Sequence, residues 1–223
     1  MDQLELLSKS RHVVEWADGY GEIPDKALIE KILWKSWKVT RSKNSFMPYT
    51  VHVLGPEKVA EKKKIWEKTK VQDVMMNEKN KDYVHPATSN NKLFEQLASA
   101  PYTIVMTQRI CEPNPLYQRH IEGGSYYEQM DNDARNAKMV GGIETGMFYS
   151  NFTAFALEEG LDTSCILCFS EDLKDWKDVD YVDQTPLMLV TIGKCKESRR
   201  EWLNDIDSAD DKKPEPETVI NWV

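Results

Sequence analysis

The chain has 223 residues, 40% hydrophobic and 30% charged, with a formal net charge of -8 and a pI near 5.2. That length suffices for one core-forming domain over 1–223, and the acidic balance gives no general attraction to nucleic acid or to anionic membranes. No apolar run approaches the roughly 20 residues of a membrane span, and the start Met1-Asp2-Gln3-Leu4-Glu5 lacks the basic-then-apolar order of a signal peptide, so a cytoplasmic protein is expected.

Pro24-Asp25 opens a helix carrying Ala27, Leu28, Ile32, Leu33 and Trp37 on its apolar side. A polar loop, Arg41 to Ser45, leads into a strand from Tyr49 to Leu54. Gly55-Pro56 breaks the chain, and Glu57 to Lys70 reads as a charged surface helix whose thin apolar side is Val59, Ile65 and Trp66. The stretch from Val71 to Asn91 is polar and poorly periodic. Lys92 to Ser99 then forms a short helix before Pro101 and a strand from Tyr102 to Thr107. From Cys111 to Asp133, prolines, glycines and the tyrosines Tyr117, Tyr126 and Tyr127 make an irregular excursion of the length that lids and binding loops use.

The helix that follows is apolar nearly all round, through Val140, Ile143, Met147, Phe148, Phe152 and Phe155, as in a helix buried at a protein's centre. Gly142, Gly146, Ser150 and Ala154 recur every four residues and flatten one ridge for close packing of another helix, such as one from a second subunit. Gly160-Leu161-Asp162 stops it, and the strand Ser164 to Phe169 follows. Glu171 to Val179 is a short polar helix. The apolar run Leu187 to Ile192 reads as a mid-sheet strand. The tail from Cys195 is charged until Thr218-Val219-Ile220-Asn221-Trp222-Val223, an apolar end suited to docking on a partner.

Neither a Gly-x-Gly-x-x-Gly nor a Gly-x-x-x-x-Gly-Lys-Ser/Thr pattern occurs, so the usual dinucleotide and nucleotide phosphate loops are absent. Cys165-x-x-Cys168 has redox or metal spacing, but no second pair or nearby histidine completes a zinc set, and no metal is expected. The pair lies in an apolar strand instead of at a helix N-terminus, so two buried small side chains are expected over a thiol redox centre. Cys111 and Cys195 complete the cysteines, all expected reduced. His12, His52, His85 and His120 are scattered and form no hydrolase constellation.

The order of these features resembles the nitroreductase family of FMN-dependent oxidoreductases. Arg41-Ser42-Lys43-Asn44-Ser45-Phe46-Met47-Pro48-Tyr49 aligns without a gap on the family's Pro-Ser-Ser-x-Asn-x-Gln-Pro-Trp; Ser42, Pro48 and Tyr49 match, while Arg41, Ser45 and Met47 depart. Leu157 to Asp162 is similar to the family's Ala-Ala-x-x-x-Gly-Leu-Gly/Asp, and the resemblance spans about Leu7 to Gly193. It implies an α+β fold with an antiparallel-rich sheet, helices on both faces, and an interlocked homodimer. One FMN would lie in each dimer cleft, with NAD(P)H as electron donor and a small planar or aromatic acceptor, a nitro compound or quinone, reduced by a ping-pong mechanism.

By that resemblance Arg11 and His12 hold the phosphate and ribityl chain, with Lys213 as a second phosphate cation. Val13 and Glu15 replace the serine and second basic residue of the family motif. Ser42, Lys43 and Asn44 reach the flavin from the other subunit, and Asn91 contacts its pyrimidine edge. The main chain of Ile166 and Leu167 runs beside the ring, the N–H of Leu167 taking the place of the family's donor to the reactive nitrogen. Tyr117, Tyr126 and Tyr127 are candidates to stack on the acceptor. No side chain is assigned the chemistry itself, which the flavin carries. Two alternatives remain open: a non-catalytic flavin or ligand binder, and a specialised flavoenzyme that uses oxygen or dehalogenates an aromatic.

Overall fold

The computed structural model describes Trp16, residues 23–69, 96–112, Glu122, 138–196 and 216–220. The frame begins with helix α1, Lys26–Val39, whose first turn is capped by the Asp25 carboxylate accepting from Ala27 N. A single 3₁₀ turn, Lys43–Ser45, leads into β1, Tyr49–Leu54. Then come α2, Val59–Glu67; α3, Gln96–Ser99; β2, Tyr102–Gln108; and the long α4, Lys138–Glu158. Strand β3, Asp162–Ile166, a 3₁₀ turn at Leu173–Trp176, strand β4, Pro186–Gly193, and α5, Pro216–Val219, complete the described elements.

The strands form one antiparallel sheet in the order β1-β2-β4-β3. β2 and β4 are central, so both faces of each must be apolar, and they are buried nearly throughout. β1 and β3 are the edges. Helices α1 and α4 cover one face, where Ile29, Ile32, Phe148 and Phe152 pack on Tyr49, Ile104, Met106 and Val190. The opposite face is closed by α2 and the segment around Trp176, with Ile65, Trp66 and Phe169 packed on Leu54, Val105 and Leu189. This is an α+β architecture with helices on both faces, as expected.

The stop of α4 is built from its last residues. Gly160 takes a φ of +74°, Leu161 N donates back to Ala156 O (2.8 Å) and Gly160 N to Leu157 O (3.1 Å), a paired closure that needs a residue free to adopt the left-handed region. The chain thereby turns directly into β3. Lys31 meets Glu159 at 2.6 Å and ties α1 to this corner; an exposed pair of this kind adds little stability.

Four expectations need correction. Trp37 does not lie on the buried side of α1: Ile29, Ile32 and Ser36 face inward, and Trp34 and Trp37 are exposed. Helix α4 is not buried all round, since Met139, Ile143 and Met147 are exposed in the single chain. In place of a polar helix over Glu171 to Val179 there is only the 3₁₀ turn Leu173–Trp176, which buries Trp176, whose indole N–H donates to Ser170 O at 2.7 Å.

Helix α2 is the fourth. It is shorter than the charged stretch suggests, and it buries Lys62 completely along with Ile65 and Trp66. The Lys62 ammonium donates to Ala100 O (2.8 Å) and Pro101 O (2.9 Å), carbonyls left open where α3 ends. Burial pushes this amine down from its ordinary value of 10.5 to about 8, with Glu57 opposing. Between those values the unfolded chain is protonated and the folded chain is not, so this group's contribution to stability rises with pH and is lost as pH falls from 10.5 through 8. Denaturant unfolding from pH 7.5 to 10.5 should therefore show the native chain gaining, relative to Lys62→Met, at most about 3 kcal/mol. A flat difference would mean the two carbonyls hold the ammonium at its ordinary affinity.

Candidate functional site

The loop between α1 and β1 is held at nearly every residue. Thr40, which ends α1, donates its hydroxyl to Ser36 O (2.7 Å) and accepts from Asn151 Nδ2 of α4 (3.0 Å). Ser42 Oγ accepts from Met47 N at 2.8 Å and closes the loop on itself. Lys43 N donates to Glu144 Oε1 of α4 at 2.8 Å. Arg109, just past β2, donates from Nε to Met47 O at 3.0 Å and from its guanidinium to Phe46 O.

That restraint offsets strain. Ser45 (φ 58°) and Met47 (φ 49°) occupy the left-handed region, which costs a residue with a Cβ about 1 kcal/mol or more. The side chains of Arg41, Lys43 and Ser45 are left exposed. Beside the loop lies an open apolar groove of about 540 Å³, lined by Trp34, Trp37, Met47, Tyr49, Arg109 and Phe148.

The other candidate segment continues β3. Its register with β4 ends at Ile166 opposite Leu189, so Leu167 lies beyond the last registered pair. Ile166 is buried in the core under the sheet, which leaves only its main chain for a ligand, whereas Leu167 is 62% exposed. Because Tyr49 pairs with Gln108, Thr107 with Pro186 and Leu189 with Ile166, the loop before β1 and the segment after β3 lie at the same end of the sheet. They stand on opposite edges, separated by three strand spacings, or about 14 Å. The start of α4 reaches this end as well: a Cβ on Gly141 would come within 3.2 Å of both Leu187 Cδ1 and Pro48 O.

Ser42, Lys43, Ile166 and Leu167 are thus brought to one end of the sheet but not together within one chain, and the backbone of Asn44 belongs to the same loop. Arg11, His12, Asn91, Lys213, Tyr117, Tyr126 and Tyr127 lie outside the described residues. Two residues missed from the sequence hold the loop: Glu144 and Arg109. The signal for Glu144 was present, since it is the one acidic side chain between Met139 and Leu157 in an otherwise apolar helix. For Arg109 there was none beyond its place after a strand.

The cysteine expectation is half corrected. Among the described residues the four cysteines form no disulfide, with Cys165 partly buried and Cys168 exposed. Burial pushes the pKa of both thiols up, so neither has the lowered pKa of a redox-active thiol. The double substitution Cys165→Ser, Cys168→Ser should leave any flavin-dependent turnover within about twofold of the parent, as assayed by NAD(P)H consumption. Among the described residues no group of histidine, cysteine and acidic side chains is placed to hold a metal ion, and no helix is long and apolar enough to cross a membrane.

A second cavity of about 420 Å³ lies under the other face of the sheet, lined by His52, Lys58, Glu61, Lys64, Asp178 and Tyr181. Its cations are already engaged, Lys58 with Glu61 at 3.3 Å and Lys64 with the carbonyl of Asp178 at 3.4 Å. It contains none of the residues expected at the site and offers a phosphate no uncommitted charge.

The sequence matches no protein-family model and no curated protein. The fold does find relatives. A nitroreductase-family protein from Streptococcus pneumoniae TIGR4 superposes with a TM-score of 0.63 at 16% identity, covering 100% of both chains. An Exiguobacterium sibiricum protein assigned as a nitroreductase and solved with FMN gives 0.58 at 15% identity, covering 100% of this chain and 98% of that one. An FMN- and NADPH-dependent nitroreductase from Sphingopyxis sp. strain HMH gives 0.63 at 15%, covering 100% and 99%. The chain therefore has the nitroreductase fold.

Proposed function

We propose that the protein is an FMN-dependent oxidoreductase that takes electrons from NAD(P)H and delivers them to a small planar or aromatic acceptor, working as a homodimer with one flavin in each cleft. The observation that carries this reading is the placement of the restrained Ser42–Met47 loop and the free end of β3 at one end of a nitroreductase fold, on opposite edges. Two such chains related by a twofold axis would set one chain's loop against the other's strand end.

The surface of α4 supports a dimer as well. Met139, Ile143 and Met147 are exposed one turn apart, and among the described residues nothing lies within 4 Å of where a Cβ on Gly142 or Gly146 would stand. An apolar stripe beside a flat ridge is the surface that a second helix covers.

The described residues fit FMN in the chemistry of their donors. Lys43 offers an exposed cation to the pyrimidine edge and Leu167 a main-chain N–H past the last registered pair of β3 to the ring, one from each subunit. Arg11, His12 and Lys213 are proposed for the phosphate, Asn91 for the pyrimidine edge, and Tyr117, Tyr126 and Tyr127 to stack on the acceptor. When bound, FMN supplies a two-electron carrier between donor and acceptor, so the two use the cleft in turn and ping-pong kinetics are expected. Chain 1–223 acts as one domain in this reading, with residues about 111–133 as a lid and the charged segment from about 195 as an extension reaching the partner.

The test is the visible spectrum of the purified protein before and after anaerobic NADH or NADPH, with the released flavin identified chromatographically. A yellow protein carrying FMN that bleaches supports an oxidoreductase. Bound FMN that neither nucleotide reduces would make the protein a binder, and a colourless chain that takes up no added FMN would end the flavin reading.

A further inference from the structure

Glu144 is only 4% exposed, and its two oxygens have different fates. Oε1 accepts the main-chain N–H of Lys43 at 2.8 Å, while Oε2 is buried with no hydrogen-bond partner among the described residues. Burial and then its neighbour Glu144 push the Tyr49 hydroxyl upward, so the two side chains face each other in the core. An unpartnered carboxylate oxygen in such a place weakens the fold. Stability therefore does not account for this side chain.

What it grips does. The bonded N–H opens the 3₁₀ turn of the loop, and the turn leads into the left-handed Ser45 and Met47. Arg109 restrains the far side through the carbonyls of Phe46 and Met47, and from the central helix Asn151 holds Thr40 while Glu144 holds the start of the 3₁₀ turn itself. Because the bond runs to the main chain, the Lys43 side chain stays exposed and unspent.

We propose that Glu144 is a positioning residue that fixes the Ser42–Met47 loop in the conformation presenting Ser42 and Lys43 to the partner subunit's cofactor. The cofactor half of this statement rests on the flavin reading; the loop half does not. Glu144 acts through the loop and touches no reacting atom.

Two substitutions separate positioning from plain packing. Glu144→Gln keeps an acceptor for Lys43 N, and Glu144→Leu removes it while filling the space and abolishing the buried charge. In the apo chain, amide hydrogen exchange at Lys43 should accelerate about tenfold or more in Glu144→Leu, with a thermal midpoint unchanged or raised, and should stay within about threefold of the parent in Glu144→Gln. FMN affinity, read by quenching of flavin fluorescence, should fall about tenfold in the leucine variant and be restored by glutamine. Equal protection of the Lys43 amide in all three proteins would overturn the proposal, as would weaker FMN binding that follows a fallen midpoint in both variants. If the parent takes up no FMN, the flavin reading fails, and the exchange rates still decide whether Glu144 fixes the loop.

Discussion

Under the proposed flavin chemistry, Leu167→Pro is expected to slow NAD(P)H-driven flavin reduction by about a hundredfold or more, whereas Leu167→Ala stays within about threefold of the parent. The contrast follows from what the position offers. Its side chain is 62% exposed and belongs to neither core cluster, so truncation removes little packing. Its N–H lies past the last registered pair of β3, and proline removes that donor alone.

The fold should tolerate the change. β3 is an edge strand, where proline is accommodated, and the preceding Ile166 already has the extended backbone that proline demands of its neighbour. Anaerobic stopped-flow absorbance on flavin-loaded protein measures the rate. A proline variant reduced as fast as the parent would remove the Leu167 main chain from the proposed chemistry.

Phe152→Ala should lower stability by about 3–5 kcal/mol, out of the roughly 5–15 available to a typical domain. Phe152 is 1% exposed in the middle of α4, stacked on Phe148 with ring centroids 6.1 Å apart and planes inclined by 14°. In the same core cluster are Ile29 and Ile32 from α1 and Ile104 and Val190 from the two central strands, so the cavity would open where the helix pair meets the sheet. For a chain of this length that corresponds to a fall of about 10 °C in thermal midpoint. Added FMN should recover part of it if the cofactor binds only the folded state. A fall of under about 2 °C would show that α4 and the sheet collapse onto the space, and that the core is less fixed than its geometry indicates.

The elements whose pattern is set by local chemistry were legible in the chain. Asp25 capping α1, the stop at Gly160-Leu161, the strand beginning at Tyr49 and the uniformly apolar β4 each follow from capping, backbone freedom or burial on two faces. The site was legible only as an aligned stretch, Arg41 to Tyr49, and as the strand before Leu167. Nothing in either stretch says that they lie on opposite edges of one sheet, because strand order depends on pairings between residues far apart in sequence.

Other features went unread for related reasons. Trp34 and Trp37 share the helical spacing of buried residues, yet the sheet takes the neighbouring face of α1. Lys62 looked like one more solvated cation, and only the end of α3, some forty residues on, supplies the carbonyls that bury it. Cys168 sits in an apolar run, but β3 ends before it and leaves it exposed.

The sequence by itself determined the start of α1, the stop of α4, the start of β1, the run of β4 and the apolar character of α4, since these depend on side chains within a turn or two of one another. The tertiary structure alone decided that α4 keeps an uncovered stripe, that Glu144 grips the main chain of Lys43 across a separation of 101 residues, and that loop and strand end stand apart at one end of the sheet. Those facts come from packing and strand order, which bring together groups that no local pattern in the chain connects.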